Sequence, residues 1–401
     1  MNTRDARTAL DYRTWQRDRV RVHDHPFTVA TKPGLFAHGH RDPAALLLAE
    51  HVVVAPGDTL AYLNCGSGLL GAVAAVTGSV RRVVLTDRHV VSAEAARQTM
   101  ELNGVDGARI VLRHGLGDTV ASGSVDTVAI RIPHEKLALQ QLLHDAFHAL
   151  RLGGRCYLAG ATTEGVKAAA RAMATLFGAT QVLASGGGYR IVMATKGRVE
   201  RATNVDDNDS NVDADHFREM HATLRGRAYV VSTRPGVFSW AHVDEATQIL
   251  ANTMEIGIGA SVLDLGCGCG ALGAVAASLS QSQRICLVDA DIEAVRSAAR
   301  TVAAAGLRGV RVLASDITEA VRDERFDVVI SNPPFHVGKH TALDVPVEFM
   351  RQARDVLVSG GCFMLVANRT LPYERAMTEL FGNVHTMHDG ARFKVLQAVS
   401  R

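Results

Sequence analysis

The sequence lacks any apolar run long enough to cross a membrane. Its first residues, Met1 to Asp5, carry charges of both signs with no apolar segment behind them. We therefore expect neither a transmembrane helix nor a signal peptide, and no membrane partner. The 401 residues suggest two domains of ordinary size, and 47% hydrophobic with 21% charged residues is typical of a soluble globular protein.

Net charge is also small. The formal charge of +2 means that contact with nucleic acid would depend on a local patch rather than on the whole molecule. Lysine is scarce and arginine supplies most of the cations, which favours bidentate and stacking contacts. One candidate RNA patch surrounds Tyr12 and Trp15 and contains the arginines at positions 7, 13, 17, 19 and 21. The alternative for this segment is a surface helix with paired charges.

Cysteine is too sparse and scattered for a disulfide framework. We expect the six cysteines to be reduced core residues of a cytoplasmic protein. Cys267, Cys269 and Cys286 invite a zinc interpretation, but they lack the usual spacing and no histidine cluster completes them, so no metal is expected. The acidic stretch 204–213 lacks the glycine and the distal glutamate of a calcium loop and is predicted to be a solvated linker.

Two parts of the chain resemble each other at nearly constant separation. Thr31 to Phe36 reads TKPGLF and Thr233 to Phe238 reads TRPGVF. Farther along, residues 64–75 read NCGSGLLGAVAA and residues 266–277 read GCGCGALGAVAA. Such repetition indicates a tandem duplication of one domain.

Each half alternates short β-branched runs with alanine-rich stretches, which is typical of an α/β fold with a parallel, Rossmann-like sheet. We predict a first domain at 1–198, a linker at 199–222 and a second domain at 223–401. In the second half, strands are predicted near 262–265, 284–289, 310–315, 326–331 and 361–367. A final run at 393–399 is predicted to join as an antiparallel edge strand.

The stretch from Phe326 to His336 is a buried apolar run that ends in Asn332, Pro333, Pro334 and Phe335. Two prolines stop the strand and present Asn332 at its carboxyl end, where ligands bind in open α/β sheets. Asn-Pro-Pro-Phe suits methyl transfer to a planar amine. The Asn332 oxygen and the Pro333 carbonyl would accept the two N–H groups, while Phe335 would stack on the ring. An ordinary turn at the end of a strand is the alternative.

A second candidate site is the glycine-rich loop that follows the predicted strand at 262–265. The loop also fits the dinucleotide fingerprint, but Asp264 would face a pyrophosphate unfavourably, which argues against NAD. Asp264 can instead contact the cationic methionine part of S-adenosylmethionine, Asp289 can bind a ribose, and Asp316 is a candidate for the adenine amine. The predicted cofactor residues are Asp264, Gly266, Cys267, Gly268, Gly270, Asp289, Asp316 and Asn332.

These motifs, with Pro235 to Ser239, Ala367-Asn368, Leu371 to Tyr373 and Arg392 to Val395, carry a family resemblance. The second half resembles class I S-adenosylmethionine-dependent methyltransferases of the small-domain superfamily. The duplicated chain resembles the ribosomal RNA guanine-N2 methyltransferases, the family of small subunit methyltransferase C and large subunit methyltransferase G.

The resemblance implies methyl transfer to the exocyclic amine of one guanine, with ribosomal RNA or a ribosomal subunit as partner. It also implies that the N-terminal copy is degenerate and positions RNA. The sequence agrees, because Tyr62 stands where Asp264 stands, Asn64 replaces Gly266, and Arg131 lies where Asn332 would be.

Other functions remain open from the residues alone. The same tetrapeptide would serve methylation of a glutamine amide in a release factor or of adenine N6 in nucleic acid, although those activities predict tyrosine more often at position 335. A different class is a ribosome-assembly factor that binds RNA without turnover. The intact Asp264, Gly268, Asp289 and Asn332 count against that class.

Overall fold

The computed structural model describes residues 12–36, 38–198, 216–334 and 344–401, and the chain forms two α/β halves. The strands of the N-terminal half are β1 (Gln16–Val22), β2 (His25–Thr31), β3 (Thr59–Leu63), β4 (Arg82–Asp87), β5 (Arg109–Leu112), β6 (Val125–Arg131), β7 (Leu150–Ala161), β8 (Thr180–Gly186) and β9 (Tyr189–Thr195). Its helices are α1 (Pro43–His51), α2 (Leu69–Thr77), α3 (Val90–Leu102), α4 (Lys136–Ala149) and α5 (Val166–Phe177).

The C-terminal half repeats this series of elements. Its strands are β10 (Arg218–Leu224), β11 (Arg227–Thr233), β12 (Val262–Leu265), β13 (Ile285–Asp289), β14 (Val310–Ala314), β15 (Phe326–Ser331), β16 (Leu357–Asn368), β17 (His385–Asp389) and β18 (Phe393–Val399). Its helices are α6 (Glu245–Thr253), α7 (Ala271–Ser280), α8 (Ile292–Ala304), α9 (Asp344–Asp355) and α10 (Tyr373–Phe381).

Each half consists of a two-stranded hairpin and a seven-stranded sheet. The sheets have the orders β5-β4-β3-β6-β7-β9-β8 and β14-β13-β12-β15-β16-β18-β17. In both, the first five strands are parallel, the sixth pairs antiparallel with the fifth, and the seventh pairs antiparallel with the sixth. The identical order confirms the predicted tandem duplication of a Rossmann-like domain. Strand order reverses between β12 and β15, where such sheets open a crevice for ligands.

The central strands are buried on both faces, which is why their sequences are continuous apolar runs. Leu263 and Leu265 of β12 pack on one face, and Val262 packs on the other, all fully buried. α7 lies close to the sheet because it contains Gly273, where a Cβ would come within 2.5 Å of the Leu287 side chain. A larger residue there would push the helix, and the glycine loop before it, away from the sheet.

The end of the second sheet differs from the sequence prediction. Residues 393–399 do form β18, antiparallel to β16, but their prediction as the edge strand is wrong because β17 pairs on the outer side. β17 reads His-Thr-Met-His-Asp and is largely exposed, so its composition carries no strand signal.

Two further observations concern the segments around the halves. Gln16 to Val22 form strand β1 rather than a surface helix, and this strand leaves Arg17, Arg19 and Arg21 exposed. Of the predicted linker, residues 199–215 lie outside the described residues, and β10 begins at Arg218 within its predicted bounds. Within the described ranges, no helix has the length and apolar character to span a membrane.

The halves meet through corresponding turns, one after β4 and the other after β13. Arg88 binds both carboxylate oxygens of Asp291, with Nε donating to Oδ1 at 2.8 Å. The backbones also pair, since the Ile292 N–H donates to the Arg88 carbonyl at 2.9 Å. The turn that follows Asp289 is therefore held directly against the N-terminal half.

Candidate active site

Asn332 follows β15 at the carboxyl edge of the second sheet. The Ser331 hydroxyl donates to the Leu265 carbonyl at 2.7 Å and joins the end of β15 to the end of β12. Pro333 is buried and Pro334 is exposed, so the chain leaves the sheet at this point. The strand and turn predicted from the sequence bring Asn332 beside the start of the glycine loop.

The side chain of Asn332 has a fixed orientation. Its Nδ2 donates to the Thr247 Oγ1 at 3.0 Å, and the Thr247 hydroxyl donates its own hydrogen to Asp244 Oδ2 at 2.5 Å. Because that hydroxyl hydrogen is already used, Oγ1 can only accept from Asn332, which places the amide nitrogen on that side. The opposite oxygen, Asn332 Oδ1, is buried and has no hydrogen-bond partner within the described parts of the chain.

An unpaired buried carbonyl oxygen costs free energy, and such atoms in a pocket indicate a ligand donor. Oδ1 of Asn332 is thus available for one N–H of a bound amine. The arrangement needs Thr247 and Asp244, which the sequence analysis did not identify. Asp244 is the N-cap of α6, and its Oδ1 accepts from the Ala246 and Thr247 amides. An N-cap aspartate with a threonine three residues later was the signal that could have drawn attention to this pair.

The glycine loop between β12 and α7 offers space rather than amide donors. The amides of Gly266 and Cys267 donate to the Val288 carbonyl, at 2.9 and 3.0 Å. The Gly270 amide donates to the Cys267 carbonyl at 2.8 Å. These amides are unavailable to a pyrophosphate, which supports the exclusion of NAD.

Gly268 marks where a ligand has room. It has φ +52°, and a Cβ built on it would meet no atom within 4 Å among the described residues. At Gly270, φ is +80° and a Cβ would lie 2.9 Å from Ala298, so glycine is required there for packing. Cys267 is buried with its thiol directed at the Gly268 carbonyl, 3.8 Å away, so its role at the site lies in its backbone.

Asp264 is fully buried at the edge of the crevice, in register with Ile330 of β15. Burial raises the pKa of its carboxyl group to about 7, and the neighbouring backbone N–H of Gly273 offsets this only in part. Neither carboxylate oxygen makes a full hydrogen bond with another described residue. A buried acid without a partner suits a cationic ligand such as the methionine ammonium of S-adenosylmethionine.

Asp289 ends β13 next to the loop. Its Oδ2 accepts from the Gly268 amide at 2.8 Å and its Oδ1 accepts from the Asp291 amide at 2.9 Å. Each oxygen keeps a second lone pair, so ribose hydroxyls can still donate to it. The residues present therefore fit S-adenosylmethionine: an acid for the ammonium, open space at Gly268 and a fixed acceptor for the ribose.

Asp316 is the predicted candidate for the adenine amine, and in the structure both of its carboxylate oxygens already accept hydrogen bonds. Tyr12 Oη donates to Asp316 Oδ1 at 2.8 Å, and Lys32 Nζ donates to Oδ2 at 2.5 Å. Both donors come from the N-terminal half, which the sequence analysis did not connect with this site. Phe335, the predicted stacking residue, lies outside the described residues together with His336.

In the first half, other residues occupy the positions that correspond to Asp264 and Asn332. Tyr62 is fully buried at the position corresponding to Asp264. Arg131, at the position corresponding to Asn332, binds Asp42 at 3.0 Å and forms two hydrogen bonds of 2.7 Å with Glu164. Its guanidinium also lies 4.9 Å from the centre of the Phe36 ring. A paired arginine fills the place where an amine acceptor would be required.

Four cations at the far end of the second half all pair with carboxylates. Lys394 is buried and donates to both oxygens of Glu374, at 2.6 and 2.7 Å. Arg392 pairs with Glu245 at 2.6 Å. Arg369 and Arg375 also have carboxylate partners. Lys394 joins β18 to α10 from a buried position, whereas the three arginine pairs are exposed. Across the described ranges, no group of three His, Cys, Asp or Glu side chains is arranged to hold a metal ion.

Known proteins with similar sequences are methyltransferases. The sequence model of the family described as the methyltransferase small domain matches residues 26–193 and again residues 228–397. Ribosomal RNA small subunit methyltransferase C of Klebsiella pneumoniae is 34% identical over 298 residues, which cover 72% of this chain and 82% of that protein. The protein of the same name from Erwinia tasmaniensis is 33% identical over 274 residues, covering 68% and 75%.

A solved structure shows the same likeness over nearly the whole chain. It is a 16S rRNA N2 methyltransferase of T. thermophilus in complex with AdoMet and guanosine. The two chains are 30% identical with a TM-score of 0.80, and the match covers 96% of this chain and 98% of that one. Both halves are therefore shared with that protein.

Proposed function

This chain belongs to the methyltransferase small-domain family and, within it, to the family of ribosomal RNA small subunit methyltransferase C, and from this premise we propose that it transfers the methyl group of S-adenosylmethionine to the exocyclic N2 amine of a guanine in ribosomal RNA. The solved relative that binds AdoMet and guanosine supports both the cofactor and the base.

The observation that carries the proposal is the unpaired Asn332 Oδ1, buried and held in place through Thr247 and Asp244. The guanine N2 amine has two N–H groups and a lone pair delocalised into the ring. Asn332 accepts one N–H, and the Pro333 carbonyl is proposed to accept the other. Both acceptors stabilise the positive charge that develops on nitrogen during the transfer.

Methyl transfer to this amine needs no strong base. The methylated amine is acidic and loses its proton readily afterwards, so positioning supplies most of the rate. A base that enters this crevice must have left its stack, which costs a few kcal/mol. Phe335 is proposed to offset part of that cost by stacking on the ring.

The cofactor site consists of residues of the second half. S-adenosylmethionine would supply an electrophilic methyl group on a sulfonium centre. Asp264 is proposed to bind its ammonium group and Asp289 its ribose, and Gly268 leaves room for it. We propose that the whole set of Asp264, Gly266, Cys267, Gly268, Gly270, Asp289, Asp316 and Asn332 surrounds it.

The N-terminal half, residues 1–198, is proposed to position RNA without catalysing transfer. Its own site contains Tyr62 and the paired Arg131, so it can neither bind the methionine ammonium nor orient an amine. Its hairpin exposes Arg17, Arg19 and Arg21 along β1, which would provide phosphate contacts. Such contacts would fix the register of the RNA while the second half reads the target base.

The matched relatives are named for ribosomal RNA, which supports guanine N2 over a release-factor glutamine amide or adenine N6. The intact acceptor at Asn332 supports turnover over a non-catalytic role in ribosome assembly. We propose a ribosomal subunit in the cytoplasm as the physiological partner.

Mass mapping of ribosomal RNA from a deletion strain tests this proposal. One N2-methylguanosine should be missing, restored by the wild-type gene and by Asn252→Ala, and not restored by Asn332→Ala. Asn252 is the matched control because it lies exposed on α6, the helix that carries Thr247. Loss of an N6-methyladenosine, or of release-factor methylation with unchanged ribosomal RNA, would contradict the proposed substrate.

A further inference from the structure

The carboxylate of Asp316 belongs to the second half but is bound by the first. Tyr12 Oη and Lys32 Nζ donate to its two oxygens, at 2.8 and 2.5 Å. The Lys32 side chain is only 6% exposed. Its ammonium lies 4.3 Å from the centre of the Tyr12 ring and 5.4 Å from that of Trp15. A carboxylate and two aromatic rings therefore surround this cation.

Asp316 lies at the edge of the sheet where the cofactor loop lies. It follows β14, whose Ala314 is in register with Asp289 of β13. The Ser315 amide donates to the Asp289 carbonyl at 2.8 Å, which fixes the backbone immediately before Asp316. The two acids thus stand on neighbouring strand ends, as a ligand that spans ribose and base requires.

Asp316 still has capacity to accept. A carboxylate has about four lone-pair sites, and Tyr12 and Lys32 use one on each oxygen. Its side chain is 21% exposed, so a ligand can reach it. Burial and the adjacent Asp316 raise the pKa of Tyr12 far above its ordinary value, so its hydroxyl remains protonated and donates.

The duplication provides an internal comparison. Arg234 holds the position in the second half that Lys32 holds in the first, and its guanidinium donates to Gln141 of the first half. In the first half the residue corresponding to Asp316 is His114, so Arg234 has no carboxylate to bind at that position. Arg234 binds Glu293 at 2.6 Å instead, and Glu293 also accepts from the His114 amide at 3.3 Å. Among the described residues, the half with the intact cofactor loop thus has at this position an acid bound by a cation of the other half, whereas the degenerate half has a histidine.

We propose that Tyr12 and Lys32 are positioning residues of the cofactor site, through which the N-terminal half orients Asp316 to accept a hydrogen bond from the 6-amino group of the adenine of S-adenosylmethionine. This inference rests on the proposed function for its cofactor. The degenerate half then has a second role besides RNA binding, because it completes the site for the adenine.

The arrangement predicts discrimination at position 6 of the purine. An ionised carboxylate accepts hydrogen bonds and donates none, so it favours an amino group and disfavours the oxygen of a hypoxanthine ring. When Tyr12 or Lys32 is removed, Asp316 can rotate into solvent, and the preference for the amino group should fall.

The test measures binding of S-adenosylhomocysteine and S-inosylhomocysteine to the full-length protein by calorimetry, without RNA. Wild type should prefer the adenosyl compound, and Lys32→Met should lower that preference about tenfold or more, the size expected for a lost hydrogen bond to a charged group. Lys32→Arg should retain the preference, because a guanidinium keeps the positive charge and the N–H donors that hold Asp316. Tyr12→Phe keeps the ring and should lower the preference less.

The matched control is Arg13→Met, which removes a cross-interface ion pair with Asp355, 3.4 Å long and largely exposed, from the same segment. It should leave both affinities unchanged. If Lys32→Met does not fold, Tyr12→Phe and Asp316→Asn decide the matter by the same ratio. An unchanged ratio in Tyr12→Phe and Lys32→Met would overturn the inference and leave these residues as interface contacts. Failure of the wild type to bind S-adenosylhomocysteine would instead count against the proposed function.

Discussion

Replacing Thr247 with valine should slow methyl transfer while cofactor binding stays normal. The Thr247 hydroxyl accepts a hydrogen bond from the Asn332 amide at 3.0 Å and donates one to Asp244. Valine has nearly the same shape and removes both hydrogen bonds. The Asn332 amide then loses the contact that distinguishes its nitrogen from its oxygen. A flipped amide would present N–H groups to the amine of the guanine.

The size of the effect follows from the burial of the amide. A buried polar group left without its partner costs about 1–3 kcal/mol. If the activation free energy of methyl transfer rises by this amount, the rate falls roughly 5- to 150-fold. Asn332→Ala removes the acceptor altogether and should cost about 100- to 1000-fold, as is typical when one preorganised contact to developing charge is lost. Thr247→Ser keeps the hydroxyl and should retain most of the rate.

Single-turnover transfer of labelled methyl groups to ribosomal RNA from a deletion strain measures the chemical step. Calorimetry with S-adenosylmethionine measures cofactor binding in the same variants. The expected pattern is near-normal cofactor binding in all variants and transfer rates that decrease in the order wild type, Thr247→Ser, Thr247→Val and Asn332→Ala.

A Thr247→Val enzyme that transfers at the wild-type rate would show that the amide orientation does not depend on Thr247. If Asn332→Ala also retained its rate, Oδ1 would not be the acceptor, and the Asn-Pro-Pro-Phe turn would be structural.

Two further predictions concern the acid and the RNA. Asp264 has a pKa of about 7 in the free protein, above its ordinary value, and a bound ammonium favours its ionised form. Affinity for S-adenosylmethionine should therefore rise as pH increases from 5.5 to 7.5, with proton release on binding, and calorimetry of Asp264→Asn should show weaker affinity without this dependence. Because folding raises this pKa, stability of the free protein should fall over the same range in wild type and not in Asp264→Asn. Arg17→Ala and Arg19→Ala should each weaken RNA binding and reduce its salt dependence, and unchanged salt slopes in filter binding would exclude β1 from the RNA surface.

The duplication and the two motifs could be predicted because each depends on local constraints. Gly268 and Gly270 are required by backbone angles and close packing at the loop itself, and prolines 333 and 334 stop a strand wherever they occur. The strand at 262–265 and that at 326–331 were placed at their observed bounds for the same reason, since their apolar runs are short and bounded by turn residues. The edge strand of the sheet was not predicted, because β17 is polar and is stabilised by its pairing with β18 rather than by its composition.

The sequence by itself determined that the chain is a repeated Rossmann-like domain with one intact glycine loop, one acid before it and one asparagine after a buried strand. Tertiary structure alone decided how those groups are held. Thr247 fixes the Asn332 amide from 85 residues away, and Lys32 reaches Asp316 from 284 residues away. Periodicity and spacing report the backbone that a segment will adopt, whereas contacts between distant side chains depend on how helices and sheets pack. For that reason the role of the degenerate half at the cofactor site became visible only where Tyr12 and Lys32 meet Asp316 across the interface.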